Sequence, residues 1–131
     1  MLIERVRPDF EYKDDRGSFV QLVRKGYSQF NVAVSKKGAF RGGHFHKLNA
    51  EAYYVIQGKC RVTAYKDDEK ESSVFSTGDF FRIGPYITHD FDYLEDSILV
   101  TMYSLGVELA DGRMDSYVPE RDGRRSNGTD K

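Results

Sequence analysis

The sequence predicts an all-β domain built as a sandwich or barrel, on three observations. Apolar residues recur with a period of two through most of the chain, the spacing that turns one face of a strand into a core. The runs are short, rich in β-branched and aromatic residues, and divided by clusters of Gly, Asp, Asn and Lys. No segment carries a long apolar stripe at helical spacing, so the chain has little to offer a helical layer.

Taken in order, Phe19, Gln21 and Val23 alternate with Val20, Leu22 and Arg24, after a tight turn at Asp14-Asp15-Arg16-Gly17. Residues 30–34 form a more continuous run, closed by Lys36-Lys37-Gly38. Residues 52–56 and 60–65 follow, separated by the turn Gln57-Gly58-Lys59. Residues 66–71 are all charged and read as a hairpin tip, and Ser76-Thr77-Gly78-Asp79 reads as another turn. Residues 79–83 and Ser97–Tyr103 complete the set. From Glu120 onward there is no apolar residue, and two glycines interrupt the polar run. Such a stretch cannot offset its ordering entropy by burial, so a single domain is expected over 1–119 and a mobile tail over 120–131.

A length of 131 residues suits one core, and hydrophobic residues at 39% can fill it. The aromatics are nine Tyr and nine Phe with no Trp, a mix that fits half-buried strands. Twenty basic residues against 21 acidic ones leave a formal charge of −1, which removes the electrostatic reason for a nucleic-acid or anionic-membrane partner. The single cysteine, Cys60, excludes an internal disulfide and sits in an alternating run as an ordinary strand residue. No apolar run approaches the roughly 20 residues that span a bilayer. The opening Met1-Leu2-Ile3-Glu4-Arg5 lacks the apolar stretch of a secretory signal, so a cytoplasmic location is the expectation. Residues 2–12 need not close the barrel, and a homodimer in which this segment pairs across subunits is expected.

All three histidines bear on function. His44 and His46 are two apart on an expected strand, so both leave the same face. Glu51 follows the polar turn Lys47-Leu48-Asn49, and His89 follows the turn at residues 84–88. Imidazole and carboxylate suit Zn²⁺, Fe²⁺, Mn²⁺ or Ni²⁺, and four protein ligands leave positions open for water or substrate. The same pocket working without metal, with histidines as acid and base, is the competing reading.

The spacing resembles the two motifs of the cupin superfamily. Gly38, His44, His46, Glu51 and Gly58 meet every interval of the first. In the second, Gly78 and His89 keep their separation, while Gly84-Pro85 stands shifted by one and Ile87 takes the place of a second glycine. The resemblance implies a cupin barrel with His44, His46, Glu51 and His89 as metal ligands. Asp15-Arg16-Gly17-Ser18-Phe19-Val20 and Arg41-Gly42-Gly43-His44-Phe45-His46-Lys47 are similar to segments in cupins of bacterial deoxysugar biosynthesis. These include ketoisomerases and epimerases of dTDP-linked keto-sugars and the cupin domain of capsular polysaccharide assembling proteins, which binds metal through this ligand set. Asp115-Ser116-Tyr117 is similar to a segment of that last domain.

What this resemblance implies is an isomerase or epimerase acting on a nucleotide-linked keto-deoxysugar by proton abstraction beside the ketone. Such a site needs a base, a cation near the developing oxyanion, and a proton donor. His46 stands as base or ligand, not readily both, with Arg41 or the metal holding charge and Tyr53 delivering the proton. Strand alternation turns Tyr53 and Val55 inward from Glu51, and Phe91 and Tyr93 inward from His89. Arg16, Lys47, Tyr86, Tyr93 and Tyr103 are the candidates for substrate contact, and either Arg16 or Arg41 could clamp a diphosphate by bidentate hydrogen bonds. A metal-dependent oxygenase or lyase, and a non-catalytic small-molecule binder, are the alternatives.

Overall fold

In the computed structural model, which describes residues 1–119, the sequence alternation becomes alternation across two facing antiparallel sheets. One sheet has five strands in the order β1 (Ile3–Arg5), β9 (Phe80–Ile83), β6 (Glu51–Gln57), β11 (Ser97–Tyr103) and β4 (Gln29–Ser35). The facing sheet has four, in the order β5 (Phe40–His44), β10 (Thr88–Tyr93), β7 (Lys59–Lys66) and β8 (Glu69–Ser76). The strands β2 (Phe10–Asp14) and β3 (Gly17–Gln21) form a hairpin sheet of their own.

The inward residues of each strand fill the space between the sheets. Tyr53 and Val55 of β6 meet Cys60, Val62 and Ala64 of β7, Phe91 and Tyr93 of β10, and Leu99 of β11. Each large aliphatic or aromatic side chain buried this way contributes about 1.5–3 kcal/mol. Phe75 and Phe81 stack with centroids 3.8 Å apart, and Tyr53 lies 4.9 Å from both Phe81 and Phe91. The aromatic end of the barrel is therefore a packed block, and it fixes Tyr53 next to the polar end. Cys60 is buried on β7, and burial pushes its thiol up to about 12, as suits an inert strand residue.

Chain direction changes sheet at Gly58. Strands β6 and β7 belong to different sheets, so Gln57-Gly58-Lys59 is a corner between them. Gly58 has φ +108, and any Cβ there would collide with Ser97 Oγ and the Asp96 carbonyl, so only glycine fits.

Several expectations need correction. The charged tip is shorter than residues 66–71: β7 runs through Lys66 and β8 begins at Glu69, leaving Asp67-Asp68 to turn the chain. The N-terminal segment 2–12 does not stand apart as a whole. Leu2 and Ile3 are in the core, and β1 pairs with β9 of its own chain because two apolar side chains have a place to bury there. Glu71 secures this arrangement by accepting the Leu2 N–H at 2.5 Å. In the turn before His89, where Ile87 stands in place of the motif's second glycine, the residue with positive φ is Tyr86, at 64. The expected tail over 120–131 lies outside the described residues.

A second apolar cluster covers part of the outer face of the five-stranded sheet. Ala52, Phe80 and Met102 pack there under Val6, Leu22, Val23 and Tyr27. Beyond this cover, Phe30, Val32 and Val34 of the edge strand β4 remain exposed.

Candidate metal centre and its cavity

His44 ends β5, His46 lies just past it, Glu51 opens β6, and His89 sits in β10 directly opposite His44. The glycines before His44 make this pairing possible. Gly42 and Gly43 have φ +107 and +75, and a Cβ on Gly42 would stand 2.5 Å from the His89 carbonyl oxygen. The bulge shared by β5 and β10 here turns His44 and His89 towards one point, with ring centroids 4.7 Å apart. All four side chains are buried, and their candidate donor atoms lie within 4.8 Å of one another.

Hydrogen bonds settle the ring orientations. His46 Nδ1–H donates to the Asp115 carbonyl at 2.6 Å, and His89 Nδ1–H donates to the Ile87 carbonyl at 3.0 Å. The Nε2 atoms then face Glu51 Oε1, at 3.0 Å from His46 and 3.4 Å from His89. His44 Nδ1 and His89 Nε2 are buried without a hydrogen-bond partner among the described residues. Buried polar atoms normally find partners, so two orphaned nitrogens within this cluster of three histidines and a carboxylate fit a bound cation. The residues present therefore suit a divalent metal, with His44, His46, Glu51 and His89 as its donors.

Electrostatics follow from the same crowding. Burial, reinforced by the neighbouring His89 and His46 rings, lowers His44 to about 3, so it is neutral at pH 7. Burial also opposes charge on His46, but its hydrogen bond to the Glu51 carboxylate outweighs this and raises it. Glu51 is held below the usual carboxylate range despite burial, by its hydrogen bond with the His46 ring and the closeness of the His89 ring. Across their 3.0 Å contact, His46 and Glu51 each favour the charged form of the other.

Beside the centre lies a cavity of about 260 Å³, walled by His44, Glu51, His89, Tyr53, Phe91, Tyr93, Arg41 and the inner face of β4. Burial raises the pKa of the Tyr53 phenol, and the nearby Glu51 charge adds to this, although the Tyr53 hydroxyl closes no hydrogen bond of normal geometry. Burial pushes Tyr93 up to about 12. Tyr103 is raised by the same two causes and stands at right angles to the His46 ring, centroids 5.3 Å apart. All three are proton holders at neutral pH.

Residues 12–117 match the family model described as the polysaccharide biosynthesis C-terminal domain. The chain belongs to that family. Its fold is the cupin barrel. A 3,4-ketoisomerase double mutant from Thermoanaerobacterium thermosaccharolyticum, in complex with TDP, shares it at a TM-score of 0.68 and 19% identity, over 78% of this chain and 79% of that one. The capsular polysaccharide assembling protein CapF of Staphylococcus aureus is similar at a TM-score of 0.64 and 25% identity, over 86% of this chain and 34% of that one. A UDP-2-acetamido-2,6-beta-L-arabino-hexul-4-ose reductase of Pseudomonas aeruginosa is 37% identical over 51 residues, which are 38% of this chain and 14% of the reductase.

Of the residues singled out in this polysaccharide biosynthesis domain, the fold brings the four donors, Tyr53, Tyr93, Tyr103 and Arg41 to one end of the barrel. Arg41 reaches from β5 to β4, where Nε donates to Ser35 Oγ at 2.8 Å and Nη2 to the Val34 carbonyl at 3.1 Å. It therefore closes the gap between the sheets while lining the cavity. Three candidates for substrate contact lie elsewhere. Arg16 is exposed at the β2–β3 turn and pairs with Asp14, Nη2 to Oδ2 at 2.6 Å. Lys47 places its ammonium 4.3 Å over the Tyr117 ring. Tyr86 stacks on Phe45, centroids 6.1 Å apart, on the outside of the barrel. Alternation had no means of finding Ser35, which matters as the acceptor for Arg41 on the neighbouring strand, or Asn49, whose side chain bonds Gly106 and Asp115 far along the chain. The doubled glycine before His44 was the visible signal of the bulge.

Proposed function

We propose that this chain is a sugar-nucleotide isomerase or epimerase that removes and returns a proton beside the ketone of a 4-keto-deoxysugar, with a divalent metal held by His44, His46, Glu51 and His89. One observation carries the reading: His46 and His89 both give Nδ1–H to main-chain carbonyls, which leaves two Nε2 atoms converging on a buried carboxylate at the end of a cavity. This orientation of ligand imidazoles by carbonyl acceptors is usual around metals. Three nitrogens and one carboxylate suit Zn²⁺, Fe²⁺, Mn²⁺ or Ni²⁺. When bound, such an ion supplies a Lewis acid that polarises a ketone oxygen.

The remaining work falls to the chain's own groups. His46 has both ring nitrogens engaged, so we assign it as a ligand and not as the base. Tyr53 and Tyr93 hold their protons at Oη on the cavity wall, which suits them to donate to an enediolate. Arg41 offers a fixed cation at the wall, for the oxyanion or for a substrate phosphate. Support for the substrate class comes from two similar proteins: one is a 3,4-ketoisomerase in complex with TDP, and one is a reductase of a UDP-linked hexul-4-ose.

We also propose a homodimer seated on the outer face of β4. Phe30, Val32 and Val34 are exposed on an edge strand, and Phe10, Tyr12 and Phe19 are exposed on the β2–β3 hairpin, which pairs with no other sheet among the described residues. An isolated two-stranded hairpin is marginal in water, and a second copy would give it a surface to pack on.

Two measurements test the enzyme reading. Protein purified without chelators should contain close to one transition-metal ion per chain by elemental analysis. Incubation with dTDP- or UDP-linked 4-oxo-6-deoxyglucose in D₂O should put deuterium at C3 or C5, followed by NMR. Absence of exchange with both nucleotides would overturn the isomerase assignment, and absence of metal would overturn the ligand assignment.

A further inference from the structure

The stretch after β11 folds back over the loop that carries His46. Phe45 N–H donates to the Tyr117 carbonyl at 2.9 Å, and Tyr117 N–H returns the bond at the same distance. Between these contacts sits Asp115, fully buried although it belongs to neither sheet. Its carboxylate accepts the N–H groups of Lys47 at 2.9 Å, Leu48 at 3.0 Å and Asn49 at 3.0 Å, and the Asn49 side-chain amide at 2.8 Å. Its own carbonyl accepts His46 Nδ1–H at 2.6 Å. One residue thus binds four consecutive residues, 46 to 49, by both main chain and side chain. Asn49 passes the constraint on, since its Oδ1 accepts the N–H groups of Leu105 and Gly106 at 2.8 and 2.9 Å.

A fold needs a turn between β5 and β6, but it does not need a buried carboxylate to hold it. Burying an ion costs several kcal/mol unless every lone pair is met, so a carboxylate placed here indicates a demand for orientation. That demand sits next to His46, whose ring must present Nε2 and not Nδ1 to the centre.

We propose that Asp115 is a positioning residue for the metal ligand His46: its carbonyl selects the Nδ1–H tautomer, and its carboxylate clamps residues 47–49 so that His46 and Glu51 meet at one point. The affinity arm of its test rests on the metal reading above, and the tautomer arm does not. Asp115→Asn puts an amide N–H₂ where N–H groups point, which breaks part of the clamp at nearly constant volume. Ser97→Ala is the control: Ser97 is equally buried and accepts the Lys59 N–H at 3.2 Å, at the other end of the barrel.

In the full chain, zinc affinity measured by competition with a colorimetric chelator should fall about 10- to 100-fold in Asp115→Asn, the range seen when an outer partner of a metal ligand is removed. Ser97→Ala should bind as the wild type does, even where its melting temperature drops as far. In metal-free protein at pH 9 carrying Glu51→Gln, which removes the competing carboxylate at Nε2, imidazole ¹⁵N spectra should report Nδ1–H for His46, and a shift towards Nε2–H once Asp115→Asn is added. Should that variant fail to fold, Asp115→Ser keeps one acceptor for the turn and carries the same two readouts. A variant that melts earlier but keeps wild-type zinc affinity and the Nδ1–H tautomer would overturn the proposal. A wild type that binds no zinc would refute the metal reading instead, and the tautomer comparison would still decide the role of Asp115.

Discussion

His44 makes the metal-free protein sensitive to acid, and the size of the effect can be worked out. In the unfolded chain its imidazole titrates near 6.5, and in the barrel near 3 because burial and the adjacent His89 and His46 rings oppose a charge. A base with a lowered folded pKa contributes its full stability above 6.5 and loses it as pH falls, because the unfolded state takes up the proton first. Each pH unit below 6.5 therefore costs about 1.4 kcal/mol. Between pH 6.5 and pH 5 the loss is about 2 kcal/mol. Its limit, as pH approaches 3, is about 5 kcal/mol, an upper bound because a loosened site admits water. The neighbours do not mask this window. Glu51, with a lowered pKa, keeps its contribution above its unfolded value of about 4.5 and loses it only further down. His46, with a raised pKa, contributes fully below 6.5 and loses that contribution as pH rises. Urea unfolding of chelator-treated wild type should thus give a stability that falls by about 2 kcal/mol from pH 6.5 to 5. His44→Asn should be flat to within about 0.5 kcal/mol over the same range, whatever its absolute stability. Parallel pH dependences in the two proteins would refute the reasoning, because the proton taken up on unfolding would then belong to another group.

Three further outcomes are expected. Tyr53→Phe removes a buried hydroxyl that closes no hydrogen bond, so thermal stability should hold or rise, while kcat for deuterium exchange should fall about 10²- to 10⁴-fold; an unchanged kcat would exclude Tyr53 as donor. Gly42→Ala forces a Cβ against the His89 carbonyl at φ +107, and chemical denaturation should show a loss of at least about 2 kcal/mol with weakened metal retention; near-wild-type values for both would mean that the bulge yields freely. Val32→Glu places a charge on the exposed face of β4 and should convert a dimer to a monomer in sedimentation, with no change in the circular dichroism of the barrel; a dimer that persists would place the interface elsewhere.

The candidate site was legible because its proposed ligands are marked locally. His44 and His46 share a strand face, Glu51 opens the next strand, and His89 begins an alternation that continues through Phe91 and Tyr93, so period and residue type together place all of them inside. Residues whose place depends on distant partners were not legible in this way. Leu2 and Ile3 looked free to leave, because only the fold supplies β9 as a neighbour for β1. Arg41 is drawn along the cavity wall by Ser35 and the Val34 carbonyl, and alternation does not record that strand β4 lies across the gap. Arg16 and Lys47 belonged to motifs that looked like binding segments, yet their side chains find Asp14 and the Tyr117 ring first. Asp115 is the extreme case. It stands 68 residues from Lys47, and although Asp115-Ser116-Tyr117 resembles a cupin segment, no period or composition gives it a role that the exposed Asp111 four places earlier lacks. What separates the two is the set of N–H donors that each meets after folding: Asp111 meets the neighbouring Arg113 in solvent, and Asp115 meets a turn that would otherwise bury its amides unpaired. The ligands of such a site can be read from sequence because coordination chemistry restricts residue type. The groups that aim them are restricted only by geometry, and a backbone carbonyl such as that of Asp115 carries no residue signature at all.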